Sequence, residues 1–244
     1  MVSHKQKRSS VEVRQSQVIF LFFERGYKYR LDMNTDNWFY WCGNFNDGFA
    51  RIQREDGGIT YIKSSGEFIV DAWFLHASDF LFENALFRVM TSERKWLWMD
   101  KKGVLYDACG RIREGLVRVE SRSKWNYIDK EGNLLSDTWF DFCCDFYEGF
   151  AKVESRSKWN YIDKEGKLLS DFWLDWCGDF VEGFAQVASR RKWNYINKEG
   201  KFLSDTWLDW CGDFVEGFAK VKSRRKWYYI DKEGKLLPST STNP

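Results

Sequence analysis

The sequence predicts an all-β tandem-repeat protein, and three observations predict it. Residues 158–191 and 192–225 are one 34-residue phrase written twice, differing at five positions (163/197, 168/202, 172/206, 186/220 and 188/222). The tryptophan that opens the phrase recurs at Trp125, Trp159, Trp193 and Trp227, 34 residues apart each time. Within the phrase, apolar and polar residues alternate with a period of two between glycine turns. A fixed period of roughly 20–50 residues marks solenoids, propellers and arrays, in which each unit buries its apolar face only against its neighbours.

Older copies extend upstream. Trp96 precedes Trp125 by 29 residues, "GGITYIKSSGEF" around Tyr61 is a worn "KWNYIDKEGKL", and "DNWFYWCGNFNDGFA" at 36–50 matches "SDTWLDWCGDFVEGFA" at 204–219. The expected organisation is a polar tail over 1–17, one repeat domain over 18–237 and a disordered tail over 238–244, with Pro238 ending the last strand. Degenerate units fill about 18–113 and regular 34-residue units about 114–237. About six three-stranded meander units follow from the period. An open, curved array accommodates the shortened units at 84–113; a closed β-propeller is the alternative.

The unit opening at Glu148 shows how the elements are assigned. "GFAKVES" (149–155) sets Ala151 and Val153 against Phe150 and Lys152, the period of a half-buried strand. In "KWNYIDK", Trp159, Tyr161 and Asp163 face one way and Asn160 and Ile162 the other, giving a second strand. "DKEGK" (163–167) places Gly166 at the left-handed residue that ends a type I turn, where a Cβ would clash. "KLLSD" is the expected third strand. In "FWLDWCGDFVEG" (172–183), Trp173, Trp176, Cys177 and Phe180 fall at i, i+3, i+4 and i+7, so a short irregular or single-turn helical segment capped by Ser170 is expected.

The phrases "EGFAKV", "KWNYIDKEG" and "DFVEG", in that order, resemble the WG repeat, a bacterial family, over about 36–237. The namesake glycine after Trp is replaced by Asn126, Asn160 and Asn194, and by Tyr228 in the last copy. Asparagine tolerates left-handed or bulged backbone, so the first three replacements are expected to keep a bulge. The resemblance implies an all-β array without general enzymatic activity and names no ligand.

Composition limits function further. Lys and Arg number 38 against 36 Asp and Glu, a net charge of +2, so nothing drives the whole molecule toward nucleic acid or acidic membranes. The longest apolar run, "VIFLFF" at 18–23, is far short of the roughly 20 residues that span a bilayer. No signal peptide is read in the polar start, and a cytoplasmic location without membrane contact is expected. Five of the six cysteines (Cys42, Cys109, Cys143, Cys177, Cys211) share one repeat column, where the remaining copy carries Ala77; a column that accepts Cys or Ala is small and buried. With only two histidines and no C-x-x-C, no metal and no cofactor are expected.

No catalytic residue is assigned. Asp141, Asp175 and Asp209, then Asp145, Asp179 and Asp213, then Glu148, Glu182 and Glu216 form repeating columns, whereas catalysis needs unlike groups converging at one place. Carboxylates beside glycines suit turn hydrogen bonds. The candidate binding residues lie in the turns between the first and second strands: Arg122 and Lys124, Arg156 and Lys158, Arg190, Arg191 and Lys192, and Arg224, Arg225 and Lys226. In register, these form a basic row.

Three functions are carried forward. The first is a non-enzymatic scaffold that binds a macromolecule, a protein before a nucleic acid, through a repeated surface gaining strength by avidity. The second is nucleic-acid backbone binding along the basic row. The third is carbohydrate binding on Trp139, Trp173 and Trp207 with Trp176 and Trp210, set against their use as knobs joining neighbouring units.

Overall fold

The computed structural model describes residues 38–79 and 86–238, together with the backbone of strands Val13–Gln15, Val18–Phe23 and Gly26–Arg30. The readings for residues 1–12 and 239–244 lie outside it. The described chain is all-β and contains no helix. It forms seven antiparallel sheets in sequence order, none closed into a barrel, and six of them, from Trp41 onward, are built on the repeat phrase.

The regular sheets share one plan. In one, Phe142–Cys143 pairs with Phe150–Ser155, which pairs with Lys158–Asp163. The next two repeat it with Trp176–Val181, Phe184–Ser189 and Lys192–Asn197, then with Trp210–Val215, Phe218–Ser223 and Lys226–Asp231. The first two strands of the expected meander are therefore present with the expected facing. Phe150 lies opposite Asp163 and Lys152 opposite Tyr161, while Ala151 lies opposite Ile162 and Val153 opposite Asn160. The turn at Gly166 is also as expected, with φ +81° and its N–H bonded to the Asp163 carbonyl at 3.1 Å.

Three expectations need correction, two on the third strand and one on the asparagines. "KLLSD" does not form a third strand in the inner copies; Leu168 makes only an isolated bridge to Ile162. The third strand comes instead from "WCGDFV", the segment read as irregular or helical. Its register shifts between Cys177 and Phe180, so a bulge brings these residues, three apart, into the same buried layer. A bulged strand thus reproduces helical spacing over a few residues.

Asparagines line the edge where the third strand is expected. Asn126, Asn160 and Asn194 are fully buried, and none has positive φ, so the expected bulge is absent. The Asn160 amide donates to the Ser170 carbonyl at 2.6 Å and its oxygen accepts the Tyr161 N–H at 2.8 Å. Asn126 and Asn194 do the same with Ser136 and Ser204. The side chain occupies ladder positions that a neighbouring strand would otherwise fill. Where the last copy carries Tyr228 instead, a true strand, Leu236–Pro238, pairs with Tyr228, Tyr229 and Ile230.

By contact density the chain divides into two units. One comprises Met1–Ile112, Val119–Arg122 and Ile128–Asn133; the other comprises Arg113–Arg118, Ser123–Tyr127 and Leu134–Pro244. Within the second, cores form between successive sheets. Ala151, Val153 and Ile162 pack on Tyr127, Phe140, Cys143 and Phe146; Ala185, Val187 and Ile196 pack on Tyr161, Leu174, Cys177 and Phe180; Ala219, Val221 and Ile230 pack on Tyr195, Leu208, Cys211 and Phe214. Each of these sheets therefore presents an Ala-Val-Ile face to the preceding copy, and the sheets of Phe150 and Phe184 present the opposite face, Phe150-Lys152-Tyr161 and Phe184-Gln186-Tyr195, to the following one. The first unit has its own layers, including Tyr61, Phe74, Phe87, Val89 and Met99.

Candidate binding surface

The surface follows from how each strand end is closed. Ser155-Arg156-Ser157-Lys158 is a two-residue hairpin, because Ser155 and Lys158 pair directly. Both central residues are left-handed, Arg156 at φ 52° and Ser157 at φ 60°, as a type I′ turn requires. Asn-Gly is the favoured pair for that turn because few L residues tolerate positive φ. Here the positions hold Arg122-Ser123, Arg156-Ser157, Arg190-Arg191 and Arg224-Arg225, all with φ between 48° and 68°. The sequence reading placed these cations in turns and missed their backbone strain; the signal was two central residues between paired strands.

All ten predicted residues are exposed, but they fall into two groups. Lys124, Lys158 and Lys192 form ion pairs with Asp141, Asp175 and Asp209 of the following copy. The second oxygen of each aspartate accepts a turn N–H, from Arg156, Arg190 and Arg225 respectively. The lysine hydrogen bond, then the turn N–H, hold these carboxyls below the usual carboxylate range. In contrast, Arg122, Arg156, Arg190, Arg191, Arg224 and Arg225, and Lys226, make no ion pair among the described residues. The expected row thus separates into lysines that tie copies together and guanidiniums that face solvent.

The opposite strand ends carry acidic ties. Glu148-Gly149 is another left-handed pair, at φ 50° and 88°, between Tyr147 and Phe150. The Glu182 carboxylate accepts the N–H groups of Glu216 and Gly217 at 2.9 and 3.0 Å and pairs with Lys232 at 2.9 Å. Glu114 binds Gly149 and Lys164 in the same way, and Glu148 binds Lys198. Asp145, Asp179 and Asp213 accept from Arg118, Lys152 and Gln186 of the preceding copy. The sequence reads these carboxylates as turn hydrogen-bond acceptors; in the structure Asp141, Asp175, Asp209, Asp145, Asp179, Asp213, Glu148 and Glu182 also tie one copy to another.

Aromatic rings flank the arginine turns. Trp176 lies across the central strand from Trp193, centroids 5.3 Å apart, and Trp210 from Trp227 at 5.5 Å. Trp176 and Trp210 are about two-fifths exposed. Trp173 and Trp207 instead pack partly buried against the core of the preceding copy, as knobs. The cysteine column is as expected in the regular copies, where Cys143, Cys177 and Cys211 are buried, form no disulfide and have their thiols pushed up to about 12 by burial, whereas Cys42 and Cys109 in the older copies are only half-buried. No cluster of three or more metal-ligating side chains occurs among the described residues, and no helix there is long and apolar enough to cross a membrane.

Fold and surface together define an all-β tandem-repeat protein whose copies are joined by repeated side-chain ties. The family profile described as WG containing repeat matches residues 127–159, 161–193 and 194–227, so the chain carries WG repeats over that region. No curated protein sequence matches the chain. Among solved structures, BamB from Moraxella catarrhalis is similar at 11% identity over 99% of this chain and 88% of its own, with a TM-score of 0.32. Hsv2 from Kluyveromyces lactis is similar at 8% identity over 80% and 76%, TM-score 0.32. The computationally designed Ika4 protein is similar at 11% over 49% and 87%, TM-score 0.30. Likeness at this level carries no argument about what this chain binds.

Proposed function

We propose that this chain is a non-enzymatic scaffold that binds a protein partner through the repeated arginine turns and the tryptophans beside them. One observation carries the reading. At every regular copy, arginine holds a left-handed position that Asn-Gly would occupy with less strain, and its guanidinium makes no ion pair among the described residues. The lysine of the same turn is neutralised by an aspartate in three copies, which thins the positive row to discrete guanidiniums. Separate guanidiniums beside half-exposed indoles suit carboxylates and side chains of a protein better than an unbroken phosphate chain. Repetition supplies avidity from contacts that are each weak.

The test replaces Arg190-Arg191 and Arg224-Arg225 by Asn-Gly. The turn type welcomes that pair, so the fold is retained and loss of binding is not confused with unfolding. Pull-down from lysate with and without nuclease, at two salt concentrations, should recover a protein partner that resists nuclease and is lost with the Asn-Gly variant. Recovery that disappears with nuclease and falls steeply with salt assigns the row to nucleic acid instead. An unchanged partner set with the variant rejects the arginine turns as the binding surface.

A further inference from the structure

Among the described residues, the sheet of Phe218–Ser223 and Lys226–Asp231 exposes a face that is covered in the regular copies preceding it. In the sheet Phe150–Ser155 with Lys158–Asp163, the face formed by Phe150, Lys152, Trp159 and Tyr161 receives the segment Asp175 to Phe180. Phe180 seats against Phe150 at 5.3 Å and Tyr161 at 5.0 Å, the Tyr161 hydroxyl donates to the Gly178 carbonyl at 2.7 Å, and Asp179 pairs with Lys152 at 2.8 Å. Asp175 pairs with Lys158. The same five contacts recur one copy on, with Phe214 between Phe184 and Tyr195, Gly212 under Tyr195, Asp213 on Gln186 and Asp209 on Lys192.

The equivalent residues of the last sheet are Phe218, Lys220, Trp227, Tyr229 and Lys226. Tyr161 and Tyr195 are 2% and 0% exposed, but Tyr229 is 43% and Phe218 46% exposed. Among the described residues the Tyr229 hydroxyl has no acceptor and Lys220, Lys222 and Lys226 have no carboxylate; Lys220 and Lys222 rest over the Trp227 ring at 4.9 and 5.4 Å. Two of the five positions separating this copy from its predecessor add charge here, Lys220 for Gln186 and Lys222 for Ala188. The face is therefore more cationic than the inner faces that already hold an acidic segment.

We propose that this face binds an extended, acidic and aromatic segment of a partner protein with the pattern Asp-x-x-Gly-Asp-Phe. That is the pattern of 175–180 and 209–214. The first carboxylate meets Lys226, the glycine carbonyl accepts from Tyr229, the second carboxylate meets Lys220, and the phenylalanine ring fills the slot between Phe218 and Tyr229. The phenylalanine is the anchor and the two carboxylates set register, a buried ring within a polar rim. This site is distinct from the arginine turns and stands or falls separately from them.

The probe is a fluorescein-labelled peptide of residues 206–217 with serine at Cys211, titrated with the full chain and followed by anisotropy. Saturable binding is expected. Changing Phe214→Ala in the peptide, or Lys220→Glu with Lys226→Glu in the protein, should each weaken it by about tenfold or more, the loss of a single hot spot or of two matched charges. Both lysines are exposed, so an unchanged circular dichroism spectrum and melting temperature certify the variant. Absence of saturable binding overturns the proposal. So does equal binding of a scrambled peptide, which reduces the face to an unspecific cation patch, or tighter binding of an oligonucleotide of equal charge. Concentration-dependent self-association without peptide binding assigns the face to a second copy and also overturns it.

Discussion

The Tyr161 hydroxyl donates a 2.7 Å hydrogen bond to the Gly178 carbonyl, seventeen residues on and in the next sheet. Tyr61, Tyr127 and Tyr195 make the same bond to Ser78, Cys144 and Gly212. Each ring is buried among apolar residues with only its oxygen satisfied, so one side chain supplies both the packing and the polar tie between consecutive copies. Burial pushes all four phenols above their ordinary range.

Tyr161→Phe should therefore destabilise the protein by about 1–3 kcal/mol, because the buried Gly178 carbonyl loses its donor while the ring volume is kept. Tyr229→Phe, whose hydroxyl is exposed and has no acceptor among the described residues, should change stability by less than about 0.5 kcal/mol. Urea unfolding of both variants makes the comparison. Equal effects would show that the inner hydroxyl contributes nothing beyond its ring.

Glycines separate in the same manner. A Cβ at Gly234 would lie 2.5 Å from the Leu203 carbonyl oxygen, and those at Gly166 and Gly200 closer still to Leu135 and Leu169, whereas one at Gly149 meets nothing. Both Gly149 and Gly166 have positive φ. Gly149→Ala should cost the left-handed strain alone, about 1–2 kcal/mol. Gly166→Ala adds a backbone collision with the preceding copy and should cost clearly more, read as a lower urea midpoint.

The buried asparagines should be sensitive to loss of their amides. Asn160→Ala leaves the Ser170 carbonyl and the Tyr161 N–H without their partner, and a loss of about 1–3 kcal/mol is expected. Thr60 holds the corresponding buried position in an older copy with its hydroxyl unpartnered, so Thr60→Val should be neutral or stabilising by comparison. Thermal melts of the two variants against the parent chain decide this.

Acid should loosen the joints between copies. The Asp141, Asp175 and Asp209 carboxyls titrate below their unfolded value because lysine and a turn N–H favour the charged form. Around pH 4 the unfolded chain thus binds more protons than the folded one. The stabilisation is complete above that pH and is lost as pH falls through the lowered folded values. Stability measured by urea from pH 7 to pH 3 should fall more steeply for the parent than for Asp175→Asn; parallel profiles would remove this joint from the acid response.

Much of the arrangement was legible because repetition repeats its reasons. The facing of Ala151 and Val153 against Phe150, the turn at Gly166 and the small cysteine column each follow from side-chain period, from backbone freedom at positive φ, or from a position that accepts Cys or Ala. The "WCGDFV" strand was not legible, since a bulge between Cys177 and Phe180 produces the spacing a helical turn would. Asn160 was read for its backbone tolerance, but its role lies in which groups its amide reaches ten residues away. The basic row was visible, yet nothing in the spacing separates Lys158, whose ammonium pairs with Asp175, from Arg156, whose guanidinium makes no ion pair among the described residues.

By itself the sequence determined that this is a stack of like β units joined through a repeated aromatic phrase, because strand period and copy number are written directly in the order of residues. Only the tertiary structure decided which strand completes each sheet, which cations are neutralised and which face of the last copy stands uncovered. Those depend on partners 17 to 50 residues apart, such as Lys158 with Asp175 and Lys198 with Glu148, and such pairings exist only once the backbone has brought the copies face to face.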